Sequence, residues 1–214
     1  MFRAIECIEI TLRARLSYRH GMKYGALGYL NPKNFNEKHK ASKFQETIER
    51  VISNHEKNPI VKHHKEKYGG QFPVWVMTEL FTFGMLSYFY SDLHTSDKKE
   101  IARQYHTSHK ILGSWLQCCT DLRNICAHFE RLYYHIFSAV PKGFDPKEKV
   151  SNSLWAMMLV IKSLYPFPVQ WQRDFMPQIK ILMDKYSKDI DLQHLGFPEN
   201  WHEALKINAW YPMK

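Results

Sequence analysis

The stretch "LRNICAHFERLYYH", residues 122–135, decides how this chain is read. At 3.6 residues per turn, Leu122, Ile125, Cys126, Phe129, Leu132 and Tyr133 fall on one face, and Ile136 and Phe137 continue it. That spacing predicts a helix over 121–138 with a wide core-facing stripe. Asn124, His128, Arg131 and His135 fall on the opposite face, at spacings of four, three and four. Arg123 lies on the flank, and its long side chain can swing toward the same surface. A polar, basic, protonatable stripe on a well-anchored helix is a place where a site can hold its geometry.

Working outward, the rest of the chain repeats the helical period. Ile5, Ile8, Leu12 and Leu16 recur at helical spacing, with Arg3, Arg13, Arg15 and Arg19 elsewhere around the cylinder. No N-cap precedes that pattern, so the helix is expected to begin before Met1. Residues 38–56 read as a polar helix. "KNPIVKHHKEKYGGQFP", 57–73, reads as an exposed basic loop closed by two glycines. Pro73 suits the first turn of a helix running to about Tyr90. Ser96 marks another helix start, and residues 108–120 lead into 121–138 as one unit with a kink. "AVPKGFDPKEK", 139–149, reads as a loop. Residues 151–164 form a helix ended by "YPFP", Pro177 opens another, and the tail 196–212 holds a short one. There is no internal repeat and no low-complexity segment. The reading is all-α, one domain over 1–214 with the basic loop as an insertion.

Composition bounds the function. Hydrophobic residues make up 44% and aromatics 14% of 214 residues, which supports a packed core and argues against disorder. The net charge of +9 points to an anionic partner, nucleic acid before a membrane surface. The most apolar run, residues 74–90, is broken by Glu79 and Gly84. It falls short of the roughly 20 clean residues of a membrane span, so it reads as a buried helix and no membrane partner is expected. Cys7, Cys118, Cys119 and Cys126 form no C-x-x-C pair. Reduced thiols and a cytoplasmic location follow. The first twenty residues lack the apolar core of a signal peptide.

The residues of the polar stripe suit metal-free cleavage of RNA. Histidine carries protons near neutral pH. Arginine grips a phosphate through two parallel hydrogen bonds. A histidine removes the 2′-hydroxyl proton, the alkoxide attacks the neighbouring phosphate, and arginine stabilises the charge that develops. A second acid must protonate the leaving 5′-oxygen. His135 lies two turns along, roughly 10 Å from His128 at 1.5 Å per residue. A two-fold dimer, which brings two copies of the stripe together, is the better source. No cofactor is expected.

Other candidates carry two readings each. Glu79 is either a buried carboxylate orienting Arg123 or Arg131, or a surface glutamate. His55, His63 and His64 raise a metal question, but no cysteine stands near in sequence to complete a zinc site; His106 and His109 have a metal-like spacing but no obvious third partner, and solvated basic surface is the preferred reading for all of them. Lys62, Lys65 and Lys67 contact RNA phosphates or belong to a solvated loop, and Tyr68 beside them could stack on a base. Arg13, Arg15 and Arg19 face RNA or pair with acids elsewhere. Trp75, Trp115, Trp155 and Trp171 read as core or interface.

"LRNICAHFERLY" resembles the signature of the HEPN superfamily, an arginine followed by a polar residue, with four to six residues between the arginine and a histidine. It resembles in particular the Abi-like branch, the abortive-infection proteins of bacteria. Segments 4–35 and 73–90 resemble that branch as well, so the likeness covers most of residues 3–137 in three blocks. The resemblance implies a HEPN-type helical bundle, a homodimer, and metal-independent endoribonuclease activity at a composite site. Arg123 takes the place of the motif arginine, Asn124 its polar neighbour and His128 the histidine, with Arg131 matching a further arginine. It implies a toxin that cleaves RNA during phage infection and, in some members, a small non-coding RNA as regulatory partner. The family's usual N-terminal segment is expected to be missing. A non-catalytic RNA-binding protein on the same scaffold is the main rival, and a helical interaction protein without RNA a third reading.

Overall fold

The computed structural model describes residues 1–144 and 152–207. The last part of the expected 139–149 loop and the end of the tail, 208–212, lie outside them. The described chain is all-α, as expected. In order come α1 (Phe2–Tyr24), α2 (Ala41–Asn54), α3 (Pro59–Lys67), α4 (Val74–Glu79), α5 (Phe83–Asp92), α6 (Thr95–Arg103), α7 (His109–Ala127), α8 (Leu154–Leu164), the short α9 (Pro168–Gln170), α10 (Met176–Lys185) and α11 (Trp201–Leu205). Among the described residues the only extended pairing is a lone antiparallel bridge between Phe35 and Leu93. The chain divides into two compact units. One is Glu9–Gly113; the other is Met1–Ile8 together with Ser114–Lys214.

In the Glu9–Gly113 unit, α1 buries Leu12 and Leu16 completely. Aromatic rings fill the space beside it. Phe89 of α5 meets Phe35, Phe44, Phe81 and His20, with ring centroids 5.3–6.3 Å apart. His39 stacks on Phe35 at 4.2 Å and bonds Asp92 through Nδ1 at 2.8 Å, which ties the Phe35 segment to the end of α5. His20 is 1% exposed, and burial lowers its pKa to about 4. It packs as a neutral ring.

Buried charge in this unit is concentrated on Asp97 of α6, itself 1% exposed. Its carboxylate accepts from Lys23 Nζ at 2.8 and 2.9 Å, from the Tyr24 hydroxyl at 2.7 Å, and from Arg19 at 3.2 Å. These partners outweigh desolvation and hold the Asp97 pKa below its ordinary value. The cluster pins α6 to the last turns of α1.

Two segments depart from the sequence reading. The basic stretch 57–73 is no loop over its first half: α3 runs from Pro59 to Lys67. The Asn58 side chain caps it by accepting from the Ile60 N–H at 3.0 Å, and Pro59 opens the first turn. Val61 and His64, three residues apart, turn into the core. A long basic run with an N-cap and a buried i, i+3 pair is an amphipathic helix, and the charges masked it. The segment expected as one helix from Pro73 to Tyr90 is two. It breaks at Leu80–Thr82, and Thr82 caps the second half by accepting from the Met85 N–H.

In the other unit, α8 is buried along almost its whole length, from Leu154 to Ile161 and at Leu164. Ser153 caps it. Proline opens a continuous run from Pro168 that includes a single π-turn, Trp171–Phe175, before α10. Trp171 is fully buried, and its indole N–H donates to the Leu205 carbonyl at 2.8 Å, which docks α11. No helix of the described residues is long and apolar enough to cross a membrane.

Candidate functional site

α7 places the motif, and it ends earlier than its pattern suggests. Trp115, Leu116, Cys118, Cys119, Leu122 and Ile125 are buried, so the apolar stripe holds up to residue 125. The helix then stops at Ala127. The expected helix over 121–138 is thereby corrected to 121–127 in its second half. Phe129 and Tyr134 adopt left-handed backbone, with φ of 55° and 62°. Phe129 is 96% exposed and Ile136 75% exposed, where the pattern put both in the core. No glycine or proline marks the exit, so propensity gives no warning of it.

The exit closes its own hydrogen bonds. The His128 N–H donates to the Asn124 carbonyl at 3.0 Å, Phe129 to Cys126 at 3.4 Å and Glu130 to Ile125 at 3.0 Å. This is a Schellman closure, with Phe129 in the left-handed position that glycine normally fills. The chain then leaves the helix and returns at Phe137, which is 1% exposed and exchanges two hydrogen bonds with Asn152, at 2.9 and 3.0 Å. Ser138 donates to Asp121, the Lys142 N–H to Ser114 Oγ at 2.9 Å, and the Trp115 indole to the Lys142 carbonyl at 2.8 Å. The segment 128–136 is anchored to the same unit at both ends.

The short motif survives this correction. Arg123 and Asn124 lie in the last turn of α7, and His128 follows as the cap residue. Arg123 is half-buried; Asn124, His128 and Arg131 are exposed. Cationic side chains at a helix C-terminus sit where the backbone dipole favours them. Arg131 and His135 do not share a helix face with Asn124 and His128, because the helix has ended before them.

The remaining expected site residues fall into two groups. Arg13, Arg15 and Arg19, proposed as RNA contacts, have partners inside the fold. Arg13 donates to the Thr78 and Phe81 carbonyls at 2.8 and 3.2 Å and pairs with Glu9 at 2.7 Å. Arg15 lies over the Tyr105 ring at 4.0 Å. Arg19 bonds Asp97. Lys62, Lys65 and Lys67 are exposed on α3, with Lys65 facing Glu56 at 3.2 Å. Glu79 is exposed, which settles it as a surface glutamate. Trp75 is 53% exposed rather than core.

Burial pushes the Cys118 thiol up to about 12 and raises those of Cys119 and Cys126. Among the described residues no three His, Cys, Asp or Glu side chains gather to hold a metal ion. His55 and His64 bond backbone carbonyls through Nδ1 at 2.8 and 2.9 Å.

Sequence reasoning missed one cluster, built on the segment that follows α7. Tyr134 Oη lies 2.8 Å from His194 Nδ1, and the rings stand 4.9 Å apart. Tyr133 Oη accepts from the Asp191 N–H at 3.0 Å. Asp191 Oδ2 is 3.7 Å from His194 Nε2. The Tyr133–Tyr134 doublet was visible in the sequence; His194, sixty residues on, carried no signal.

A family model described as Abi-like protein matches residues 1–134. No curated protein and no solved structure matches the chain.

Proposed function

The chain belongs to the Abi-like protein family, and from that premise we propose that it is a HEPN-type endoribonuclease toxin of an abortive-infection defence. The observation that carries the reading is the position of His128: an exposed imidazole one turn after Asn124, at the cap of a helix whose other face is core.

His128 takes the proton from a 2′-hydroxyl. That oxygen attacks the adjacent phosphorus, the bond to the 5′-oxygen breaks, and the leaving oxygen gains a proton. The products are a 2′,3′-cyclic phosphate and a 5′-hydroxyl. Arg123, at the same helix end, neutralises charge on the phosphorane. Asn124 orients the site, and Arg131 adds a phosphate contact. The departing oxygen needs an acid, and His128 of a second copy supplies it in a two-fold dimer. No metal takes part in these steps. The test is RNA cleavage by wild type and by His128→Ala in EDTA. Wild-type cutting that the substitution abolishes supports the reading; equal cutting by both refutes it, and wild-type cutting lost on adding EDTA refutes the metal-free step.

A second reading keeps the protein as a non-catalytic RNA-binding regulator, with a small non-coding RNA as partner. The exposed lysines of α3 favour it, since Lys62 and Lys67 attract phosphate without any chemistry. It predicts salt-sensitive RNA binding with no cutting under any condition.

A further inference from the structure

The turn that follows α7 holds two aromatic residues in backbone conformations that aromatic side chains rarely adopt. Phe129 and Tyr134 both have positive φ. Phe129 presents 96% of its surface to solvent and Tyr134 55%. Strain of this kind persists where the surroundings impose it, and it concentrates at functional positions. Here the surroundings are identifiable. The Schellman closure fixes Phe129. Tyr134 is fixed at its hydroxyl, which lies in hydrogen-bond contact with His194 Nδ1 at 2.8 Å, while Tyr133 meets it edge-on with ring centroids 4.4 Å apart. His194 is held in turn by Asp191, whose N–H also anchors Tyr133. Arg131 stands between the two exposed rings in sequence and is exposed. The acids of the turn are Glu130, exposed beside Arg131, and Asp191 behind the tyrosines.

Exposed rings with a neighbouring guanidinium are a means by which proteins hold unpaired bases. Each base stacks on a ring face, and the cation takes the phosphate between them. A buried role does not explain Phe129, which has almost no buried surface. We propose that the turn Phe129–Tyr134 is a nucleobase-stacking subsite for single-stranded RNA, flanking the phosphate held at Arg123 and His128. Tyr134, backed by His194, and Phe129 each stack a base, and Arg131 contacts the backbone. The assignment rests on the RNA reading above but not on cleavage. It makes the target an unpaired segment, because a base in a duplex offers no free face.

The probe is an eight-nucleotide single strand, 2′-O-methylated so that it cannot be cut, with 2-aminopurine at its centre. Wild-type protein should bind it and quench the 2-aminopurine, and a duplex of the same length should not displace it. Phe129→Ala and Tyr134→Ala should each weaken binding about ten-fold or more and reduce the quenching, with the dependence on salt unchanged. Phe129→Tyr and Tyr134→Phe, which keep the rings, should retain most of the affinity. Arg131→Ala should flatten the salt dependence by about 0.7 in log–log slope. Binding and quenching by both alanine variants at wild-type strength would overturn the subsite, even if RNA is cut. Binding and quenching that depend on the rings, in a protein that cuts no RNA, would support the subsite and overturn the nuclease. Failure of any RNA to bind overturns both.

Discussion

Replacing Phe129 by glycine should stabilise the protein. A non-glycine residue in left-handed backbone carries about 1–2 kcal/mol of steric cost, and Phe129 has φ of 55° at the helix exit. Glycine removes that cost. It also loosens the unfolded chain, which takes back about 0.5–1 kcal/mol. The ring is 96% exposed, so its removal gives up almost no burial. The balance is a gain of about 0.5–1 kcal/mol. For a chain of this size that is a rise of about 1–4 °C in Tm. In urea it is a higher midpoint at unchanged slope. Phe129→Ala keeps the strain and should be close to neutral. The sign is decisive, because the alternative is the continuous helix that the apolar pattern suggests. In that helix Phe129 would be a core residue, and glycine there would cost about 3–5 kcal/mol for the lost side chain and about 1 kcal/mol more for helix propensity. A glycine variant destabilised by more than about 1 kcal/mol would refute the exit at Ala127. If the stacking subsite is right, the stabilised variant should also bind single-stranded RNA less well, a separation that a purely structural residue would not show.

Acid should weaken the Glu9–Gly113 unit through His20. Its folded pKa is lowered to about 4 from an unfolded value near 6.5, so the unfolded chain takes up a proton that the fold refuses. Stability is then full above about pH 6.5 and falls by roughly 3 kcal/mol on the way to pH 4. His20→Phe should flatten that part of a urea-midpoint-against-pH curve, and an unchanged slope would count against the buried neutral ring. Asp97→Asn should cost about 2–3 kcal/mol, less than a fully buried pair, because Arg19 and Lys23 remain about a third exposed; a neutral effect in chemical denaturation would remove the cluster from the account. Arg13→Ala and Arg19→Ala should lower stability yet leave the salt slope of RNA binding as it was, since both guanidiniums face protein partners. A loss of slope with no loss of stability would return them to the RNA surface.

Much of this was legible in the sequence, for a common reason. Where apolar residues recur at helical spacing, as in α1, or follow a capping serine, as in α8, the sequence alone locates the helix. α3 was missed because its lysines and histidines outweigh the buried pair Val61 and His64, and only the Asn58–Pro59 start betrays it. The end of α7 was missed because nothing local stops it. Phe137 bonding Asn152 and Tyr133 bonding Asp191 draw the chain away from the helix axis, and those partners lie fifteen and fifty-eight residues distant. That Arg123, Asn124 and His128 come together at one helix end could be read from spacing, because all fall at or before that exit. Arg13, Arg15 and Arg19 could not be assigned, since a surface arginine and one that clamps carbonyls look alike until the fold supplies the carbonyls.

The central claim is that His128 drives attack by a 2′-oxygen, and the ends of the cut RNA record that chemistry. A single-stranded substrate incubated with wild type should yield 2′,3′-cyclic phosphate and 5′-hydroxyl ends, and His128→Ala should yield none. Fragments bearing 3′-hydroxyl and 5′-phosphate ends, or the same cyclic products from the alanine variant, would contradict it.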